Sequence, residues 1–407
     1  MGITMNNSHC ILLDKPISIN HAEELERRIF FVSANIQQFQ LIKGESTIDG
    51  IEVSLLPGTD PVEIKNKLIS VIENEILLQM VIPPRVVWES NKSGTNFQDD
   101  VFDKLLENQM VYEMGEGQVC FGDKLILLMD SLDRLIKEMT ISQFGATEYR
   151  YPTLISAKAL EKCGYFNSFP HFLMFVTRLH NDIDNYQDFL DEYKSHDKLD
   201  SYLLPYCQNV DYCLPPTMCY HTFHQFQNTQ HAETQNRVVT AIGKSFRYES
   251  KYHRTLERLW DFSIREIVFM GSRDFVLDSR QKFMEASFSL FQRLGLEGHC
   301  EIASDPFFCS HDTAAKIFNQ RMQELKYELR LKVASDRTIA AASFNFHDHF
   351  FGEQFNIKRG EEDWVSTGCV GFGIERLAYA FICQHGLDEK HWAKILSNAC
   401  PEALLAE

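Results

Sequence analysis

One short segment near the C-terminal end, Thr367-Gly368-Cys369-Val370-Gly371-Phe372-Gly373-Ile374-Glu375-Arg376, carries most of the information about the fold. If it begins as a strand, Cys369, Gly371 and Gly373 share one face, because alternate residues of a strand point the same way. Two glycines clear that face, so a ligand can approach the backbone beside a single thiol. Arg376 then begins a helix close to the cleared face. A strand packed under a helix also uses glycine, and that purely structural interpretation stays open.

A second segment, Phe246-Arg247-Tyr248-Glu249, has the alternation of a strand that presents Arg247 and Glu249 on one face. The planar fork of an arginine suits a phosphate group, and a glutamate can accept a hydrogen bond from an adenine amino group. Phe262 returns on the antiparallel partner strand, where its ring can stack on a base. A charged hairpin that holds an ion pair is the competing interpretation.

The composition excludes several classes of protein. The chain has 407 residues, 44% hydrophobic and 24% charged, which predicts two or three folded domains rather than a disordered tail. Acidic residues number 57 against 40 basic ones, giving a net charge of −17, which argues against a broad nucleic-acid-binding surface. The sequence shows no signal peptide and no apolar run long enough to span a membrane. Eleven scattered cysteines predict free thiols and a cytoplasmic protein.

The order of elements predicts an α+β fold. Residues 1–98 read as a small N-terminal α/β module, with a strand at residues 85–88 and a polar linker at residues 89–98. Inside it, Asp60 and Pro61 mark the start of a helix. Residues 99–407 form the larger domain, in which strands mix with amphipathic helices. Strands and helices do not alternate regularly and no glycine-rich phosphate loop is present, so an antiparallel sheet flanked by helices is expected.

Taken together, the two segments resemble motifs 2 and 3 of the class II aminoacyl-tRNA synthetases, with Cys369 in place of the usual first glycine of motif 3. Residues 144–152, FGATEYRYP, resemble motif 1, and the resemblance covers roughly residues 105–395. It implies the class II antiparallel sheet, a homodimer formed through motif 1, and ATP and Mg²⁺ as cofactors. It implies that Arg247, Glu249 and Arg376 are catalytic residues. It also implies that these three residues bind ATP together with Arg258 and Phe262. The family usually has an acidic residue on the strand before motif 3. In this chain residues 338–343, TIAAAS, occupy that strand and contain no acidic residue.

Three more residues narrow the resemblance. Cys219, Glu266 and Cys369 are spaced like the Cys–Glu–Cys zinc site of methanogen-type seryl-tRNA synthetases, and still more like that of their truncated homologues, the amino acid:[carrier protein] ligases. The resemblance implies Zn²⁺ with one coordination position left for the amine of a substrate amino acid. For isolated cysteines, burial as free thiols is the usual alternative.

Other polar residues have more than one interpretation. His347 and His349 are either a further metal site, a polar wall of the amino-acid pocket or a surface loop. Asn345 resembles a family position near the substrate. Lys326 and Glu328 are either active-site groups or part of a solvated face.

The resemblance leaves three functions. The leading hypothesis is zinc-dependent activation of a small amino acid as an aminoacyl adenylate, followed by transfer to the phosphopantetheine thiol of a carrier protein. The second is a divergent seryl-type tRNA synthetase, and the third is a non-catalytic paralogue that acts as a binding subunit. The net charge of −17 and the short N-terminal region argue against tRNA as the acceptor. Lys162, Arg178, Lys194 and Lys198 are candidates for a basic patch that meets a carrier protein.

Overall fold

A computed structural model describes residues 8–77, 85–196, 201–248, 255–304, 313–361 and 363–399. The N-terminal elements are β1 (Ser8–Ser18), α1 (Ala22–Ile29), β2 (Ile36–Lys43), β3 (Thr47–Leu55) and α2 (Pro61–Val71). The next are β4 (Val86–Glu89), α3 (Val101–Glu107), β5 (Val111–Gly115), β6 (Gln118–Phe121), α4 (Asp123–Phe144), β7 (Thr147–Tyr149), β8 (Ile155–Ser156), α5 (Ala157–Lys162), α6 (Tyr165–Ser168), β9 (Phe175–Leu179), α7 (Ile183–Ser195), β10 (Cys207–Cys213), α8 (Cys219–Gln225), β11 (Gln230–His231) and β12 (Arg237–Phe246). The last are β13 (Asp261–Gly271), α9 (Arg273–Arg293), β14 (Gly298–Ile302), α10 (Thr313–Met322), β15 (Lys326–Ala334), β16 (Arg337–Asp348), α11 (Phe350–Gln354), β17 (Lys358–Arg359), β18 (Asp363–Trp364), β19 (Ser366–Gly373), α12 (Ile374–His385) and α13 (Glu389–Ala399).

The N-terminal module is a three-stranded antiparallel sheet in the order β1-β3-β2, which packs with α1 and α2 around its own apolar core. The predicted start of α2 is confirmed. The Asp60 side chain accepts a hydrogen bond of 2.9 Å from the Val62 N–H, and Pro61 occupies the first turn, where a missing N–H costs nothing.

The rest of the chain is built around an eight-stranded sheet in the order β4-β14-β15-β16-β19-β13-β12-β7. Neighbouring strands are antiparallel except β12 and β7, which are parallel. Helices α4, α9 and α12 cover one face of the sheet and bury the largest apolar core of the described residues. The predicted α+β fold, an antiparallel sheet flanked by helices, is therefore confirmed. No helix among the described residues combines the length and the hydropathy needed to cross a membrane.

The strand predicted at residues 85–88 does not belong to the N-terminal module. Strand β4 pairs with β14, where Trp88 is the partner of Cys300, and the Trp88 ring stacks on Phe288 at 4.6 Å. Strand pairing over such a separation depends on the tertiary fold, so local sequence could not assign the strand to a sheet. We propose that the module ends before β4 rather than at residue 98.

The sheet register aligns side chains that are far apart in sequence. On the face opposite α9 and α12, Asn345 of β16 pairs with Cys369 of β19. In the next row, Ser343 pairs with Gly371, and Gly371 pairs with Glu266 of β13. Directly opposite residues of antiparallel strands share a face, so this face of the sheet forms the floor of the site described below.

Candidate active site

A cavity of about 1010 Å³ lies on this face of the sheet. Six of the residues that the sequence identified as candidates line it: Cys219, Arg247, Phe262, Glu266, Cys369 and Arg376. They come from α8, β13, β19, the start of α12 and the segment after β12. The fold therefore brings the predicted metal ligands and the predicted ATP-binding residues into one cavity, although they are up to 157 positions apart in the sequence.

The candidate metal ligands form a compact cluster. One ligand atom from each of Cys219, Glu266 and Cys369 lies within 4.8 Å of the others, and each residue is only 4% exposed. Cys219 is the first residue of α8, whereas Glu266 and Cys369 project from the neighbouring strands β13 and β19. The Glu266 carboxylate is fixed by its surroundings: its Oε2 accepts hydrogen bonds from the Met218 N–H at 2.8 Å and the Cys219 N–H at 2.9 Å.

The chemistry of this cluster suits a bound cation. Burial raises the pKa of the Cys219 thiol well above its ordinary value, and Cys369 and Glu266 act in the same direction. The hydrogen bond with Cys219 lowers the pKa of Cys369, but burial and the Glu266 carboxylate outweigh it and raise that pKa. Two thiolates and a carboxylate can coexist here only if a cation offsets their charge. Ligand atoms of a tetrahedral zinc ion lie about 3.5–4 Å apart, so small side-chain movements would allow these three to hold one.

Polar side chains surround Cys369 on the cavity side. The Asn345 amide donates a hydrogen bond of 3.5 Å to its Sγ, and the Nε2 of His347 lies 3.6 Å from the same sulfur. His349 is directed elsewhere, because its Nδ1 lies 3.0 Å from the Trp364 carbonyl oxygen. The two histidines therefore do not form a metal site together, and His347 is part of the cavity wall.

Arginine and aromatic side chains also line the cavity. The guanidinium of Arg247 lies 5.5 Å from the centre of the Phe262 ring, and its Nε donates to the Pro216 carbonyl at 3.2 Å. Arg376 approaches from α12, where its Nε donates to the Glu257 carbonyl at 2.7 Å. Gly371 and Gly373 line the cavity as well, and the side chain nearest to Gly373 is that of Arg376. Two arginine cations and an aromatic ring that line the same cavity suit the phosphates and the base of a nucleoside triphosphate.

The chain is similar in sequence to known amino-acid ligases. No model of a protein family matches the chain. Amino acid–[acyl-carrier-protein] ligase 1 of Bradyrhizobium diazoefficiens is 30% identical over 289 residues, which cover 70% of this chain and 86% of that protein. The chain belongs to this ligase family. Type-2 serine–tRNA ligase of Methanococcus aeolicus is 28% identical over 295 residues, 71% of this chain and 56% of that protein. The chain thus spans about half the length of such tRNA ligases.

A solved structure extends the likeness to nearly the whole chain. The SerRS of M. kandleri, determined in complex with A. aeolicus tRNASec, matches with a TM-score of 0.71 over 96% of this chain and 77% of that one. The sequence identity is 18%, so this match shows the fold alone. The class II synthetase fold and the family resemblance read from the sequence are confirmed.

Of the residues implied by the family, one does not line the cavity and another is not described. Glu249 lies outside the described residues. Arg258 is described, but it is not among the residues that line the cavity. Its place in the nucleotide site remains a prediction, as do the roles of the six residues that do line the cavity.

Other cavity residues were missed or left undecided by the sequence. Thr217, two residues before Cys219, was missed, and its hydroxyl donates a hydrogen bond to the Glu266 carboxylate. Lys326 and Glu328 line the cavity rather than a solvated face, with the Lys326 Nζ 3.1 Å from Glu328 Oε1. Glu328 of β15 is directly opposite Ser343 on β16, the strand that lacks the usual carboxylate of class II enzymes.

Proposed function

We propose that this protein is a zinc-dependent amino acid:[carrier protein] ligase. It activates a small amino acid with ATP and transfers the aminoacyl group to the phosphopantetheine thiol of a carrier protein. The observation that carries the proposal is the shared cavity, in which the Cys219–Glu266–Cys369 cluster faces Arg247, Phe262 and Arg376. Its relatives include two carrier-protein ligases at 30% and 29% identity.

The residues divide the first reaction between them. Cys219, Glu266 and Cys369 would hold a zinc ion, which would supply a Lewis-acidic position for the neutral α-amine of the amino acid. Phe262 stacks on the adenine ring, and Arg247 and Arg376 neutralise the phosphates. An oxygen of the substrate carboxylate then attacks the α-phosphorus of ATP. The new carboxyl–phosphate bond forms as the bond to pyrophosphate breaks, which leaves an aminoacyl adenylate.

The Mg²⁺ ions of ATP need a carboxylate ligand, which class II enzymes usually supply from the strand before motif 3. Residues 338–343 contain no carboxylate, and the neighbouring strand supplies Glu328 instead. This side chain is held between Lys326 and Arg330, each 3.1 Å from one of its oxygens. We assign Mg²⁺ to the phosphates of ATP, with Glu328, which is directly opposite Ser343 in the sheet, as the candidate carboxylate ligand.

Two properties favour a carrier protein over tRNA as the acceptor. The match covers 86% of a carrier-protein ligase but 56% of a type-2 serine–tRNA ligase, so the aligned region accounts for a larger share of the former. In the N-terminal module, acidic residues outnumber basic ones over residues 8–77, which opposes binding to a phosphate backbone.

Helix α7 offers a surface for a protein acceptor. None of its residues is buried, and Ile183, Tyr186, Leu190 and Tyr193 expose a continuous apolar stripe, with Ile183 69% exposed. Unpaired apolar faces of this kind usually meet a protein partner. Of the basic residues suggested for such a patch, Lys194 lies on α7 and Arg178 on the nearby strand β9, whereas Lys198 is outside the described residues.

We also propose that the protein is a homodimer and that it is cytoplasmic. Helix α4 and strand β7 hold the motif 1 segment, and α4 exposes Ile126, Leu127 and Ile141, with Leu127 65% exposed. A homodimer formed through this surface would bury them. The described cysteines are all free thiols, which supports a cytoplasmic location.

An amino-acid-dependent exchange of pyrophosphate into ATP, run as a panel of amino acids with metal analysis, tests the first half of the reaction. We expect one small amino acid to support exchange by a zinc-loaded protein. Absence of exchange with every amino acid would favour the non-catalytic paralogue. The acceptor is then tested with labelled amino acid and either a phosphopantetheinylated carrier or total tRNA. Charging of tRNA alone would overturn the carrier-protein proposal in favour of a seryl-type synthetase.

A further inference from the structure

A hairpin outside the cavity contacts the segment that carries Arg247. Strands β5 and β6 form this hairpin, and Gly117 lies in its turn with a φ of +66°. The Gly117 carbonyl accepts a hydrogen bond of 2.9 Å from the Trp260 N–H. Trp260 immediately precedes β13, at the end of the connection from β12.

The same tryptophan holds Arg247 from its other side. The Trp260 carbonyl accepts a hydrogen bond of 3.0 Å from the Arg247 N–H, so two backbone hydrogen bonds join Gly117, Trp260 and Arg247 in a row. The Trp260 ring also lies 4.8 Å from the ring of Tyr248, the next residue along the connection. Trp260 therefore links the hairpin to the backbone of the arginine that faces the cavity.

The fit between the hairpin turn and the indole leaves no space. A Cβ atom added to Gly117 would lie 2.5 Å from two atoms of the Trp260 ring and 2.9 Å from a third. The atoms approached include Cγ, which is bonded to the Cβ of Trp260, so an added methyl group would push on the base of the side chain rather than on its tip. By contrast, Gly58 also has a positive φ, of +85°, but an added Cβ would meet nothing within 4 Å there.

We propose that the β5–β6 hairpin braces Arg247, and that Gly117 and Trp260 are positioning residues for the binding of ATP. The inference rests on the proposed function, in which Arg247 contacts the phosphates. An arginine fork binds phosphate well only when its two donors meet the oxygens in the right geometry. A displacement of Trp260 would pass to Arg247 through their shared hydrogen bond.

The test compares Gly117→Ala with Gly58→Ala, which adds the same methyl group at a positive φ without the clash. For Gly117→Ala we expect the KM for ATP in pyrophosphate exchange, and the calorimetric Kd for ATP, to rise about tenfold. The KM for the amino acid and the zinc content should stay within about twofold of those of Gly58→Ala. A purely structural defect would instead lower activity in proportion to the folded fraction. Equal affinities for ATP in the two variants would overturn the inference.

A double-mutant cycle with Trp260→Ala gives a second measurement. Removing the indole removes the clash, so Gly117→Ala combined with Trp260→Ala should bind ATP no more weakly than Trp260→Ala alone. Additive losses of ATP affinity in the double variant would overturn the proposal that the hairpin braces Arg247. Calorimetry separates this inference from the proposed function. Wild-type protein that binds ATP without any exchange contradicts the proposed function alone, whereas wild-type protein that binds no ATP contradicts both.

Discussion

Glu266 Oε2 accepts a hydrogen bond of 2.9 Å from the backbone N–H of Cys219, so one candidate metal ligand positions another. This contact ties the start of α8 to β13. Together with the pairing of Glu266 and Gly371, it holds the carboxylate within 4.8 Å of the two thiols. This arrangement leads to the first prediction.

Replacing Cys219 with serine should remove the metal. With one thiolate lost from three ligands, we expect zinc well below one equivalent and a fall of at least about 100-fold in amino-acid-dependent exchange. Metal analysis and the exchange assay measure both. Cys213→Ser is the matched control, because Cys213 is equally buried in the same apolar cluster but lies outside the triad. Full zinc content in Cys219→Ser would contradict the assignment.

Replacing Arg247 with alanine should weaken the use of ATP more than replacing Arg258. Arg247 lines the cavity and Arg258 does not, although both were predicted to bind the nucleotide. We expect kcat/KM for ATP to fall about 100- to 1,000-fold in Arg247→Ala and less than about tenfold in Arg258→Ala. Equal losses would show that Arg258 reaches the nucleotide when ATP binds.

A buried ion pair beneath the site should matter for stability. The side chain of Arg265 is fully buried, and its Nε and one terminal nitrogen donate to the two oxygens of Asp133 at 2.7 and 2.6 Å. Asp133→Asn leaves this guanidinium with Glu148 as its remaining charged partner, at 3.0 Å. We expect the free energy of unfolding to fall by about 3 kcal/mol, measured by chemical denaturation. Asp130→Asn, an exposed position on the same helix, should change it by less than about 0.5 kcal/mol.

The apolar stripe of α7 should serve transfer rather than activation. Leu190→Asp places a charge in the middle of this surface, so we expect transfer to the carrier protein to fall by about tenfold or more while pyrophosphate exchange is unchanged. Leu12→Asp, at an exposed leucine of β1, is the control and should alter neither step. A loss of exchange in Leu190→Asp, or undiminished transfer, would contradict the assignment of α7 to the acceptor.

Stability should decline in mild acid because of His385. Burial, assisted by the charge of Lys92, lowers the pKa of His385 to about 4. The unfolded chain takes up this proton near pH 6.5, whereas the folded protein does so only near pH 4. The contribution of neutral His385 to the free energy of unfolding is therefore complete above pH 6.5. As the pH falls towards 4, this free energy decreases by up to about 3 kcal/mol. Denaturation curves of His385→Gln should show a shallower pH dependence, and those of the exposed His180→Gln should follow the wild type.

Local patterns in the sequence predicted the structural features that depend only on residues close together in the chain. The cap of α2 at Asp60, the glycine-cleared face at Gly371 and Gly373, and the helix that begins beside Arg376 all follow from a few adjacent residues. The family resemblance extended this to the candidate site, since motif spacing survives when the rest of the sequence diverges. Six of its predicted residues do share one cavity.

Only the tertiary structure decided how distant segments meet. It assigned β4 to the large sheet, left Arg258 off the cavity wall and placed Glu328 opposite Ser343, within the stretch 338–343 that has no carboxylate. It also brought Gly117 against Trp260, a contact between residues 143 positions apart. Strand order and register are set by burial and hydrogen bonding across the whole sheet, and no short stretch of sequence encodes them. The sequence alone therefore determined which chemical groups this protein has, and the fold determined which of them act together.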